Sequence, residues 1–144
     1  MIKSENEYSI VIATFADKEL AKTAAKMLVE KRLAACVQIL PIESIYMWKD
    51  EVCDDNEIML FIKSRADMFE KIKVAIKEIH PYEVPEIIMI PIVDGLGEYL
   101  KWIDDCVLWE NEGTGDSPFW DKKIQKNTFM LALGQKIDFP VILW

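Results

Sequence analysis

At 144 residues, 51% of them hydrophobic, with only five glycines and six prolines, the chain is long enough to bury a core and reads as a folded globular unit. A formal net charge of −8, with seventeen basic residues interspersed among twenty-five acidic ones, argues against the clustered basic surface that nucleic-acid binding requires and makes a cationic partner such as a metal ion easier to accept. Met1 to Tyr8 is polar and acidic, and no segment approaches the roughly twenty apolar residues of a membrane helix, so a cytoplasmic setting with no membrane partner is expected.

In chain order, Ser9-Ile10-Val11-Ile12-Ala13-Thr14-Phe15 is a short β-branched run. It ends before Asp17, a good N-cap, after which Leu20, Ala24, Met27 and Leu28 recur at helical spacing until about Lys31-Arg32. From Ala34 to Trp48 the chain is apolar or β-prone apart from Pro41. It turns at Lys49-Asp50 and returns through Val52 and Ile58-Met59-Leu60-Phe61-Ile62 to Lys63, which predicts a hairpin. A second helix is marked by Phe69, Ile72, Ile76 and Ile79 and stops where Pro81 forbids continuation. Glu86 to Val93 then reads as a near-continuous buried strand, and Gly95 and Gly97 break the chain before a short amphipathic helix, Glu98 to Ile103. The order βαββαβ plus a terminal helix, with right-handed crossovers, predicts an α+β, ferredoxin-like sandwich with two helices on one face of a four-stranded antiparallel sheet.

The hairpin is too long for that sandwich. Arms of about fourteen residues at about 3.3 Å each would reach roughly 45 Å, whereas helices of about fifteen residues span only about 22 Å. The uncovered end carries Ile42, Ile45, Tyr46, Met47 and Trp48, an apolar ribbon that aggregates unless a partner covers it, so an obligate oligomer is expected. The competing reading is that Pro41 and the polar stretch Asp54-Asp55-Asn56-Glu57 shorten the strands into a compact sheet or a bulge.

Five blocks taken in this order, Ala35-Cys36-Val37, Ser44 to Lys49, Leu60 to Arg65, His80-Pro81-Tyr82-Glu83-Val84-Pro85-Glu86 and Tyr99-Leu100-Lys101-Trp102-Ile103, resemble the CutA divalent-cation tolerance family. The resemblance covers about Tyr8 to Val107. It implies a ferredoxin-like subunit, a tight homotrimer clasped through long hairpins with a shape similar to the PII signalling proteins, and association with copper and other divalent cations. It also places Cys36 and His80 at positions implicated in metal binding. One departure is Ile79, where some relatives carry a further cysteine before the histidine.

The chemistry of the residues is compatible with that implication and with plainer roles. A soft thiolate at Cys36 and an imidazole at His80 suit copper or zinc better than magnesium or calcium. Equally, Cys36 between Ala35 and Val37 reads as a small buried hydrophobe, and His80 as a helix C-terminal group bonded to backbone. The family resemblance further suggests a cleft between subunits, lined by Tyr82, Glu83 and Glu86 with Lys63 nearby, that would hold a small anion or zwitterion. The alternative for this set is an interfacial polar network that fixes trimer register. Tyr46, Trp48 and Trp102 are assigned to packing at the trimer contacts.

Cys36, Cys53 and Cys106 are odd in number and widely spaced, which fits neither a disulfide framework nor a structural zinc site. No nucleophile elbow, glycine-rich phosphate loop or His-Glu-x-x-His motif is present. A metal-binding or assembly protein with no obligatory cofactor is therefore expected in preference to an enzyme, the alternative being a PII-like signalling or scaffold trimer that takes a small ligand or partner protein at the inter-subunit cleft. Residues 1–107 form the predicted domain. Residues 108–144 lie outside the resemblance and combine a linker-like stretch, Glu110 to Pro118, with apolar segments able to dock on a neighbouring subunit.

Overall fold

The computed structural model describes residues 6–107. The expected C-terminal extension, 108–144, lies outside the described residues.

Strand β1 (Tyr8–Phe15) alternates its side chains so that Ser9, Val11, Ala13 and Phe15 are fully buried beneath the helices. Helix α1 (Lys18–Glu30) starts because the Asp17 carboxylate accepts the backbone N–H groups of Glu19 and Leu20 at 3.2 and 3.3 Å, and it buries the small-residue stripe Ala21, Ala24, Ala25 and Leu28. It ends in a Schellman-type turn. The N–H of Leu33 reaches the carbonyl of Leu28 at 2.9 Å while Arg32 takes φ 57°, a position where glycine is usual.

Strands β2 (Cys36–Trp48) and β3 (Glu51–Arg65) form the hairpin. A short 3₁₀ turn (Ala66–Met68) leads into helix α2 (Phe69–Ile79), which buries Ile72, Ala75 and Ile76 beside α1. Strand β4 (Ile87–Pro91) pairs with β1, and helix α3 (Gly97–Cys106) closes the described chain. The sheet order is β2-β3-β1-β4 with every pair antiparallel, the ferredoxin-like order expected from the element sequence. Helix α3 crosses the other face at one end. Lys63 and Tyr8, which alternate away from Ile62 and Ser9, meet Tyr99 and Asp104 of that helix. Among the described residues no helix is long and apolar enough to cross a membrane.

The hairpin runs uninterrupted from Cys36↔Lys63 to Trp48↔Glu51, and Pro41 sits in the ladder opposite Ile58. Proline is tolerated there because β2 is an edge strand, so the missing donor need not face a neighbour. Strand β1 covers β3 only from Ile58 to Arg65. Among the described residues Glu51 to Glu57 therefore pair with β2 alone and leave the sheet as a two-stranded ribbon about 23 Å long. Ile45, Met47 and Val52 on that ribbon are 73%, 63% and 70% exposed.

One expectation changes in detail. The strand read as buried from Glu86 to Val93 is only Ile87–Pro91, and Ile88 and Ile90 are exposed, because β4 is an edge strand whose outward face nothing in the described residues covers. The turn at Lys49-Asp50 has φ 48° and 64°. Both central residues thus occupy the left-handed region that a two-residue hairpin turn of type I′ demands and that Asn-Gly supplies at least cost. Replacing Lys49→Asn together with Asp50→Gly should raise unfolding stability by about 1 kcal/mol, measured by chemical denaturation. An unchanged or lowered midpoint would show that the turn is not strained.

Candidate functional site

His80 follows the last residue of α2, and its backbone N–H still closes the helix on the Ile76 carbonyl at 2.9 Å. Its backbone is extended, as the following Pro81 requires. The ring is pushed back under the end of β1. Nε2 lies 2.6 Å from the carbonyl of Thr14, the Tyr82 N–H donates to Nδ1 at 3.1 Å, and the imidazole stacks on Phe15 with centroids 4.5 Å apart. A backbone N–H must find an acceptor, so Nδ1 is the bare nitrogen and Nε2 carries the proton that Thr14 receives. Both ring nitrogens are committed, and the residue is only 8% exposed.

The loop after His80 carries Tyr82, Glu83 and Glu86, all exposed. The Tyr82 ring lies 4.8 Å from that of His80. Its phenol is pushed above the ordinary tyrosine value, first by burial and then by the negative charges of Glu57 and Asp55. On the ribbon beside it, the Tyr46 hydroxyl donates to Asp55, and this bond is the main reason that phenol is also held upward.

Cys36 opens β2 at the other end of the sheet, opposite Lys63. Lys63 in turn places its ammonium 5.6 Å from the centre of the Tyr99 ring. The β3 partner of Cys36 is Lys63 and that of Thr14 is Met59, a separation of four residues or about 13 Å along the strand, with two strand spacings of about 5 Å between β2 and β1. Within one subunit the structure therefore does not bring Cys36 and His80 together. Nor does it bring Lys63 to Tyr82, whose neighbour Glu57 lies six residues, about 20 Å, further along β3. Among the described residues no group of three His, Cys, Asp or Glu side chains converges as a metal cluster.

The residues assigned to packing divide in two. Tyr46 and Trp48 stand exposed on the ribbon, whereas Trp102 is half-buried in the subunit, its ring 5.5 Å from that of Tyr99. Cys106 is also half-buried, and burial pushes its thiol up to about 11.

Two features escaped the sequence reading. Tyr8 donates to Asp104 at 2.5 Å, and Arg65 grips the same carboxylate at 3.0 Å while its other donors hold Asp67 at 2.9 and 3.1 Å. This network pins α3 to the start of β1 and the end of β3. Adjacent acids near the end of a helix oppose its macrodipole, so the pair Asp104-Asp105 was the available signal. The second feature is Glu57, buried although it closes the polar run Asp54-Asp55-Asn56-Glu57.

The model of the CutA1 divalent ion tolerance protein family matches residues 9–106. A divalent-cation tolerance protein CutA of Thermus thermophilus is 48% identical over 95 residues, covering 65% of this chain and 92% of that protein. Its solved structure superposes with a TM-score of 0.68 at 45% identity, over 70% of this chain and 99% of that one. The structure described as periplasmic divalent cation tolerance protein CutA of Archaeoglobus fulgidus superposes with a TM-score of 0.69 at 38% identity, again over 70% and 99%.

The polar contacts around this chain's ends make two predictions. His80→Ala removes one buried and one part-buried hydrogen bond and a ring stack and should cost roughly 2–4 kcal/mol in denaturant unfolding; a loss well under 1 kcal/mol would mean the ring is not structural. Burial, then the bond to Asp104, raises the Tyr8 phenol to about 12. Its contribution is therefore intact below pH 10, the value in the unfolded chain, and is lost as pH climbs from 10 towards 12. Stability in that alkaline window should fall less steeply for Tyr8→Phe than for wild type.

Proposed function

The chain belongs to the CutA1 divalent ion tolerance protein family, and from that premise we propose that it is a non-enzymatic divalent-cation tolerance protein acting as a homotrimer in the cytoplasm. The observation that carries the assembly is the ribbon of β2 and β3. Seven residues of β3, Glu51 to Glu57, have a single strand partner among the described residues, yet carry or face Ile45, Met47, Trp48 and Val52 in exposed positions. An isolated two-stranded ribbon is marginal in water, and unpaired edges with apolar side chains invite another chain. Burying these residues against equivalent ribbons satisfies both demands, and the exposed Ile88 and Ile90 of β4 extend the apolar surface available to it.

The cation reading is narrower than a Cys36 and His80 pair. Those residues do not fit a shared site inside one subunit, and metal binding at His80 would break one of the two hydrogen bonds its ring makes. Cys36, half-buried and reduced, is the soft ligand that remains, suited to copper or zinc, with further donors coming from another copy. His80 instead locks the loop that carries Tyr82, Glu83 and Glu86. The three free thiols, Cys36, Cys53 and Cys106, support a reducing setting.

Calorimetric titration of the thiol-reduced protein with Zn²⁺, and with Cu²⁺ in parallel, combined with native mass measurement, tests this reading. Cys36→Ala should weaken uptake at least tenfold, whereas His80→Ala should lower stability with affinity little changed. Uptake that survives Cys36→Ala unchanged would contradict the assignment.

A further inference from the structure

Two thiols seventy residues apart in sequence, Cys36 and Cys106, are brought to one end of the sheet. Cys36 is the first residue of β2 and faces Lys63 across the β2–β3 ladder, so the two side chains leave the sheet on the same side. That is the side on which α3 crosses, since the Lys63 ammonium rests 5.6 Å from the centre of the Tyr99 ring. Tyr99, Ile103 and Cys106 are spaced i, i+4 and i+7 along α3, and Ile103 is fully buried, so this stripe of the helix is the one turned against the body of the subunit. It begins at the strand pair of Cys36 and ends about 10 Å further along the axis at Cys106, the last residue of the helix. There the Cys106 thiol feels the charges of both Arg32, in the turn that leads into β2, and Cys36.

Both thiols are half-buried, and each stands at the terminus of its element, where a backbone adjustment breaks fewest hydrogen bonds. Among the described residues they join no group of three metal-ligating side chains, so the pair lacks the closed donor set of a structural zinc site. Two partly accessible thiols beside a guanidinium are instead the setting of a reversible disulfide. The third thiol is elsewhere. Cys53 pairs with Tyr46 on the ribbon, ten residues of β3 from Lys63, or about 33 Å along the strand.

We infer that Cys36 and Cys106 are a redox pair that closes into an intramolecular disulfide when the chain meets a hydroperoxide, tying the end of α3 to the start of β2. One thiolate takes an oxygen from the peroxide, whose O–O bond breaks, and becomes a sulfenic acid; the alkoxide or hydroxide that leaves picks up the proton lost by that thiol. The second thiol then attacks the oxidised sulfur. The S–S bond forms as the S–O bond breaks, and water leaves with the second thiol's proton. Two electrons pass from the sulfurs to the peroxide, and a small thiol reverses the change, as befits a transient bond in a reducing setting. The inference goes beyond the metal reading and does not rest on it.

The test takes the full chain, reduced and then freed of reductant in the presence of a chelator, and treats it with hydrogen peroxide in native buffer and, separately, in urea. Remaining thiols are blocked with N-ethylmaleimide and the linked peptides identified by mass. The native chain should keep one reactive thiol of its three, Cys53, with Cys36 joined to Cys106 within a single chain, and dithiothreitol should restore all three. Cys53→Ser should form the same link and keep no reactive thiol. In urea the shorter loop favours Cys53 as the partner of Cys36, so the ratio of the Cys36–Cys106 link to the Cys36–Cys53 link should be at least tenfold higher in the native chain. Three reactive thiols after peroxide, a link through Cys53 or between chains, oxidation of a single thiol with no link, or the same ratio of links in both conditions would each overturn the inference. With the chelator present throughout, its failure leaves the metal reading standing, and failure of the metal titration leaves the pair standing.

Discussion

The structure depends on a mismatch of lengths between paired strands. The β2–β3 ladder runs for thirteen rungs, but β1 accompanies it for only eight residues. Where three strands lie side by side, alternate residues drop into one continuous core under α1 and α2. Where only two remain, the same alternation exposes apolar side chains on a ribbon with no third strand among the described residues. The proposed assembly of several copies rests on this single disproportion.

The two ends of the sheet are consequently different places. At one end Tyr8, Arg65 and Asp104 clamp α3, Lys63 rests against Tyr99, and Cys36 begins β2. At the other, His80 plugs the end of β1 and sets the loop of Tyr82 beside the point where the ribbon departs. A thiol and an imidazole so placed cannot act as one centre in a single subunit. The histidine is better understood as the device that holds the loop in place, with Glu57 and Asp55 supplying the charge the loop faces.

Much of this was legible from residue order because periodicity and breakers agree. Asp17 announced α1, Pro81 ended α2, and the βαββαβ order allowed few packings. Pro41 was ambiguous, since a proline argues against a central strand and is harmless in an edge strand, and only the sheet order settles which β2 is. The turn Lys49-Asp50 was placed correctly without the glycine that its positive φ values would favour. Glu57 was hidden for a physical reason. In a run of four polar residues, burial is set not by the run but by which strands end beside it, and β1 ends one rung away. The role of His80 was hidden in the same way, because its partner Thr14 is sixty-six residues distant in sequence.

The most direct measurement is sedimentation of the full chain across a dilution series from micromolar to nanomolar, with secondary structure followed in parallel. A ribbon that requires other copies predicts a species of three subunits that persists on dilution and loses its fold when it finally dissociates. A soluble, fully folded single subunit at micromolar concentration would contradict the account.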